Sequence, residues 1–510
     1  MLELAQTHDT YQADFDRLQG SDESTGGAPP WLIALRADAM EQFRILGWPG
    51  ADNEDWRSTS VQPIVSADFS APTPNHAHVP AAAIAPHRIP GAIELVFLNG
   101  CYRSDLSNVP LAAPGSANLH TDLTHKLPGG PGGPGVPGGP RVPGVPEPFP
   151  RAVAPGVRVL SLAEALVEDP VFVQAHLGRY AESNKDAFTA LNTAFIHDGA
   201  LIHLPADAAL DAPIHLLFLA SAGPSGASGD SGGSGGSGGG WVCHPRNLII
   251  ADPASRATIV EDYVALDEGA YWNNAVTELV VGGGSQVQYY LLEQDSAQAF
   301  HVATLRAVQA ADSQLEVHTA LFGAALARQN VHLELAGDDI HGLVNGLFVG
   351  RGRQHLDNHM RVVHAGLRGQ SRQFYKGILD GQAQGVFTGR ILVRPGAQQT
   401  DAKQTSRNLL LSAAARIDTR PQLEIYADDV KCTHGATTGR LDAAAAFYLQ
   451  TRGLSPSAAR ALLIYAFARE SLERMTLAPV RDRLERLLHD RLSALLDSPA
   501  DPAPTRPILT

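Results

Sequence analysis

Between Asn192 and Gly439 the chain is a succession of short apolar and β-branched runs punctuated by Gly, Asn and Asp: AFIHDGALIHLP, PIHLLFLA, RNLIIAD, TELVVGGGSQVQYYLLEQ, SQLEVHTALFG and NVHLELAG. Such runs read as strands. The spacing between them leaves no room for the crossover helices that a doubly wound α/β sheet needs, so that class is disfavoured. A strand solenoid suits the pattern, because stacked coils bury one inward row of Val, Leu and Ile and tolerate polar corners and insertions. A β-sandwich of short strands shares the same periodicity.

The flanks have a different period. Leu32, Leu35, Ala39, Phe43 and Leu46 recur on one helical face that opens at Pro29-Pro30 and closes at Gly47 and Pro49. Near the other end, Ser455-Pro456 supplies a cap and a first-turn proline ahead of SAARALLIYAFARESLERM. Val480, Leu484, Leu487, Leu488, Leu492 and Leu495 then make a second apolar stripe. A terminal helical pair of this kind is expected to cap the last coil of a solenoid or to bind a partner. Two low-complexity segments, Pro128–Pro146 and Ser221–Gly240, carry too few apolar side chains to offset the entropy of ordering and are expected to be surface loops. The organisation expected is therefore an N-terminal helical region and lead-in over 1–110, a Gly/Pro-rich insert and linker over 111–155, a β core over 156–440 interrupted at 221–240, and a C-terminal helical region over 441–510.

A chain of 510 residues can bury a large core, and its net charge of −14 disfavours nonspecific binding to nucleic acid. The first twenty residues lack the basic start and apolar run of a secretory leader, and no apolar stretch is long enough to span a bilayer, so a cytoplasmic protein without a membrane partner is expected. Neither Gly-rich segment contains GxxxxGK[ST], so no nucleotide is expected to bind this chain.

Candidate chemistry concentrates at Cys432 and His434, spaced i, i+2 so that an extended strand projects both from one face. Two ligands are half a site for iron or an iron–sulfur species, which usually takes four. Cys101 and Cys243 stand far away in sequence, each without a neighbouring thiol, and read as buried or incidental. Asp428 and Asp429 would face opposite sides of a strand and read as a turn or edge. His355, His359 and His364 would spread along a strand instead of converging.

The segment from Gly389, GRILVRPGAQQTDAKQTSRNLLLSAAARIDTRPQLEIYADDVKCTHGATTGRLDAAAAFYLQTRGLSPSAARALLIYAFARE, together with SRQFYKGIL at 371–379 and the text WLIALRADAMEQFRILGWPGADNEDWRSTSV, resembles the SufB/SufD iron–sulfur assembly family. SufB-like chains carry a His-Glu-Ala-Thr-Thr phrase and a cysteine shortly afterward; here the phrase is KCTHGAT and Leu449 stands where that cysteine falls, which points to the SufD branch. The resemblance implies a right-handed parallel β-helix core with N-terminal and C-terminal helical regions. It also implies a non-catalytic scaffold in a complex with a SufB-like paralogue and two copies of a SufC-like ATPase; whether the isolated chain forms a homodimer stays open. Cys432 and His434 would then be this chain's ligands to iron or a transient iron–sulfur cluster shared with the paralogue. The ATPase contact is expected at Leu454, Leu462, Leu463, Tyr465 and Phe467. A carbohydrate-active β-helix enzyme and a purely structural partner are the alternative readings, the first lacking both a leader and a group of acids on one face.

Overall fold

The computed structural model describes residues 11–20, 28–67, 69–71, 79–109, 155–221 and 240–496. Segment Pro128–Pro146 lies outside these residues, as do all but the two ends of Ser221–Gly240.

The core is a parallel β-helix. Strands from Arg256–Ala265 to Val430–Gly439 fall alternately into two sheets, each strand pairing in parallel with the strand two positions later in the chain. Within one sheet Arg256, Gln286, Gln314, His341, Gln370, Asp401 and Lys431 stack as a single column, so a coil takes 27 to 31 residues. Parallel pairing throughout this stretch removes the β-sandwich alternative. The sheets begin before the core range read from the sequence: Ile93–Leu98 pairs in parallel with Ile214–Ala220, and antiparallel pairing occurs at the start, where Ile93–Leu98 meets Cys101–Tyr102 and Arg158–Ser161 meets Ala200–Leu204.

Alternation along each strand decides which side chains go where. Inside run Ile259, Tyr289, Val317, Val344 and their counterparts in the facing sheet, Leu305, Val331 and Met360. At one series of corners Ala254, Asp312, Asp339, Arg368 and Gln399 adopt left-handed backbone conformations. These corners are hydrogen-bonded to the next coil: Ala254 N–H donates to Gly283 O, Asp312 to Asp338 O, Asp339 to Leu367 O and Gln399 to Asp429 O. Local strain at a bend, about 1 kcal/mol for a non-glycine residue in this region, is thereby offset by satisfied donors.

Helices cover the outer faces. Pro30–Leu46 starts at Pro29 with Pro30 in its first turn and stops at Gly47, whose φ of 63° ends the helix, as the sequence predicts. Its buried face is Leu32, Arg36, Ala39, Met40 and Phe43; Leu46, placed on that face by the sequence, is exposed. Ser455 caps Pro456–Leu472 through Ala458 N–H. The last two helices do not cap the final coil. Ile464, Ala468, Leu472, Val480, Leu484, Leu488 and Leu492 pack on Val260, Tyr290, Ala320, Leu347, Ile378 and Leu409, which are outward-facing residues of one sheet. An amphipathic helix finds far more apolar area on that face than at the end, where the exposed strand offers Thr, Gly and Ala.

The consequence is an open end. Val430–Gly439 pairs with Thr400–Leu410 on one side only and is exposed over most of its length, and Arg416–Ile425 is the corresponding edge of the other sheet. Pro421 lies in that second edge strand, where a residue without an N–H is tolerated.

Candidate functional site

Cys432 and His434 lie on the last strand, in register with Ala402 and Gln404 of the preceding coil. Ala402 and Gln404 are both buried and inward-facing, so the Cys and His continue two interior columns to the mouth of the solenoid. Their Cα atoms are about 7 Å apart on an extended strand, close enough for both side chains to reach one atom. Cys432 packs half-buried beside Ile391, Val393, Ala402 and Leu423, whereas His434 is exposed. Burial pushes the Cys432 thiol up; a hydrogen bond from the Ala402 backbone opposes this, and the Asp401 carboxylate adds to it. In the free chain the group is therefore a thiol, and binding of a soft metal or a sulfur species as thiolate releases a proton.

The column beneath His434 changes character towards the mouth. It runs Ile259, Tyr289, Val317, Val344 and then Gln373, Gln404 and His434. Gln404 Nε2 donates to Gln373 Oε1 at 2.7 Å, while Gln404 Oε1 and Gln373 Nε2 have no partner among the described residues. From the facing sheet Gly389 makes room for this amide: a Cβ there would fall 1.8 Å from Gln404 Nε2. The interior at the mouth is thus polar and holds unpaired hydrogen-bonding capacity, in contrast to the apolar Val317 and Val344 of the same column below it.

Other candidates separate in space. His355 bonds to Thr59 Oγ1 at 2.9 Å and His359 to Asp55 at 3.3 Å on the outer face. His364 faces inward and meets Ser371 Oγ at 2.8 Å, so the three do not converge. Asp428 and Asp429 form the bend before the last strand, Asp429 N–H donating to Gln398 Oε1. Among the described residues no group of three or more His, Cys, Asp and Glu is placed to hold a metal. Cys101 and Cys243, read as isolated, are neighbours. Gly100 backs onto Cys243, Cys101 acts electrostatically on it, and Cys243 Sγ donates to Asn273 Oδ1 at 2.9 Å. The approach of two strands from different sheets, invisible to sequence spacing, brings them together.

Of the residues expected to meet an ATPase, Leu462 is 45% exposed, Leu454 and Leu463 are half-buried, and Tyr465 and Phe467 pack partly on the core. Lys376 Nζ donates to Phe467 O at 2.6 Å and sits over its ring. Phe447 and Tyr448, on the helix Ala443–Thr451, are more exposed, at 67% and 57%, and were not singled out from sequence. Their adjacency in an otherwise polar-flanked alanine run was the available signal.

The core domain described as the SufBD core of the SUF system for FeS cluster assembly matches residues 235–467, and the SufBD N-terminal region matches 148–216. A SufBD family protein of iron–sulfur cluster assembly from Synechocystis is 30% identical over 505 residues, spanning 96% of this chain and 99% of that one. The chain belongs to the SufBD family. Among SufBD relatives, SufD of Escherichia coli is 34% identical over 230 residues, covering 45% of this chain and 54% of that protein. SufD of Bacillus subtilis is 26% identical over 299 residues, covering 58% and 64%. The SufBD core match includes Cys432, His434 and Leu462. Iron–sulfur cluster assembly in the SUF system is accordingly the setting of this protein. Among the described residues no helix is long and apolar enough to cross a membrane.

Proposed function

We propose that this SufBD-family chain is a SufD-like, non-catalytic scaffold subunit that offers Cys432 and His434 as half of a coordination shell, completed by a SufB-like paralogue docked on the open end of the solenoid. The observation that carries this reading is the coincidence of an unpaired edge strand with the two ligands: Val430–Gly439 exposes its free edge and bears Cys432 and His434 on its inward face. Exposed edges are templates for pairing with another sheet, and soluble proteins normally cover or blunt them. Iron or a nascent cluster is the cargo. Thiolate sulfur suits iron and sulfide, imidazole binds iron and moves protons, and a shell short of four thiolates favours release over storage. Gln404 and Gln373 place polar amides directly beneath His434 in the same column.

ATP hydrolysis belongs to a SufC-like partner in this reading. Its docking surface is the exposed apolar set Phe447, Tyr448 and Leu462 on the C-terminal helices, which the core leaves uncovered. Closure of two such ATPases would move this chain relative to its paralogue and open the shared site.

Thiol labelling tests the docking. In the isolated chain half-buried Cys432 should react with a maleimide while buried Cys243 does not. Co-purified with its SufB-like paralogue, Cys432 should become protected. Equal Cys432 labelling rates in the two states place the partner elsewhere.

A further inference from the structure

One column on the outer face of the second sheet carries four cationic side chains in succession. Arg306, His332, Arg361 and Arg390 occupy successive rungs of Phe300–Gln309, Leu326–Leu335, His355–His364 and Gln384–Val393. Rungs are about 4.8 Å apart, and like charges facing each other across strands destabilise a sheet. Together with Lys185, Arg328 and His359 from neighbouring positions, Arg306, His332 and Arg361 line a cleft of about 140 Å³ closed by the 46–56 segment and the start of the helix Ala187–Ala194, whose wall also holds the carboxylates Asp55 and Asp186.

The nearby carboxylates are already engaged. Glu278, in register with Arg306, is held by Arg246 at 2.6 Å and by the backbone N–H groups of Gly178, Tyr180 and Ala181. Asp55 faces His359, Asp357 pairs with Arg328, Asp186 caps the helix at Thr189, Glu182 pairs with Lys185, and Glu424 matches Arg390. Arg306 and Arg361 have no carboxylate partner among the described residues. Arg306 donates to His332 Nδ1, which puts the ring proton on Nε2. Arg306 Nε, His332 Nε2 and Arg361 Nε are then three buried N–H donors with no acceptor. Buried donors are almost always satisfied, so an unmatched trio on adjacent rungs of one cleft needs an acceptor that also carries negative charge.

We propose that this cleft binds a phosphate-type oxyanion. Its tetrahedral array of acceptors meets three donors from different rungs, and its charge relieves the repulsion between the arginines. The cleft is well below the roughly 300–1,000 Å³ of sites for drug-sized ligands, which limits the enclosed group to a phosphoryl or diphosphoryl moiety. That moiety is either a free oxyanion or the phosphate end of a larger molecule whose remainder stays outside. In the empty cleft burial and the arginines hold the His332 imidazole well below its usual range, consistent with a neutral donor. The site lies on the outer face, away from Cys432 and His434, and is independent of their role.

The test is thermal unfolding of the full-length chain and its R361Q variant in phosphate-free buffer, titrated with inorganic phosphate against sodium chloride at matched ionic strength. Phosphate should raise the wild-type midpoint in a saturable manner that chloride does not reproduce, as expected for a ligand of the native state. R361Q should start at or above the wild-type midpoint, because a repulsion is gone, and should bind phosphate about tenfold or more weakly by calorimetry, the loss of one charge-assisted contact. An equal phosphate response in R361Q overturns the proposal, as does a chloride response of the same size or a lowered R361Q midpoint without phosphate. Parallel titrations with pyrophosphate and ATP separate the sources: tighter ATP binding, lost in R361Q, identifies the phosphate end of a nucleotide, and binding of phosphate or pyrophosphate with no gain from ATP identifies the free oxyanion. Failure of all three to bind overturns it.

Discussion

Replacing Cys432 and His434 together by alanine should reduce the iron and sulfide recovered with the co-expressed complex by at least about tenfold, since losing even supporting groups around a metal site costs tenfold to a hundredfold. The chain itself should fold as before. Cys432 is only half-buried and His434 exposed, so the stability cost of the double change is on the order of 1 kcal/mol or less. Iron and sulfide analysis of the purified complex, alongside its thermal midpoint, separates a ligand role from a structural one. Unchanged cluster content with an unchanged midpoint would make the two side chains inert and leave the chain as a structural partner.

Arg246→Ala should have the opposite signature, a large loss of stability from a site remote from the open end. Arg246 and Glu278 are both fully buried, their nearest atoms 2.6 Å apart, and Arg246 also donates to Asn192 Oδ1 and Thr193 Oγ1 at 3.1 and 3.0 Å. Glu278 in turn accepts from the backbone at Gly178, Tyr180 and Ala181, which fastens the segment before the helix Ala187–Ala194 to the sheet. Removing the guanidinium leaves a buried carboxylate without its counter-charge and Asn192 Oδ1 without its donor, while Thr193 Oγ1 keeps its bond to Thr189 O. Breaking such a pair costs roughly 3–5 kcal/mol, measurable as a lower midpoint in urea. The exposed Arg368–Asp339 pair is the control, and Arg368→Ala should leave the midpoint close to that of the parent. If both variants unfolded alike, burial would not be what sets the strength of the Arg246 contact.

Where period and local chemistry decide, the sequence reads directly onto the structure. The strand runs from Ala200 to Gly439, the proline start and glycine stop of Pro30–Leu46, and the Ser455 cap all appear where local patterns put them. So does the shared face of Cys432 and His434, since two residues apart on a strand is one face in any register; that this face is the inward one follows only from the pairing with Ala402 and Gln404. Features that depend on which coil meets which are not legible in this way. Because a coil takes 26 to 32 residues across the two sheets and not a fixed number, no constant spacing aligns Arg306, His332 and Arg361 into one column or brings Cys243 beside Gly100. The destination of the C-terminal helices was likewise hidden. Their apolar stripe is evident in the sequence, but whether it seals the last coil or lies along the sheet depends on the area each surface offers. The sheet face with Val260, Tyr290, Leu347 and Ile378 offers more. The open end that results is the feature on which the proposed partnership rests.

Anaerobic iron and sulfide determination with Mössbauer spectroscopy, performed on this chain alone and on the chain co-purified with its SufB-like paralogue, tests the half-shell most directly. The account predicts iron in a cluster environment only in the joint complex, lost when Cys432 is replaced. A stable cluster assembled by the isolated monomer would contradict it.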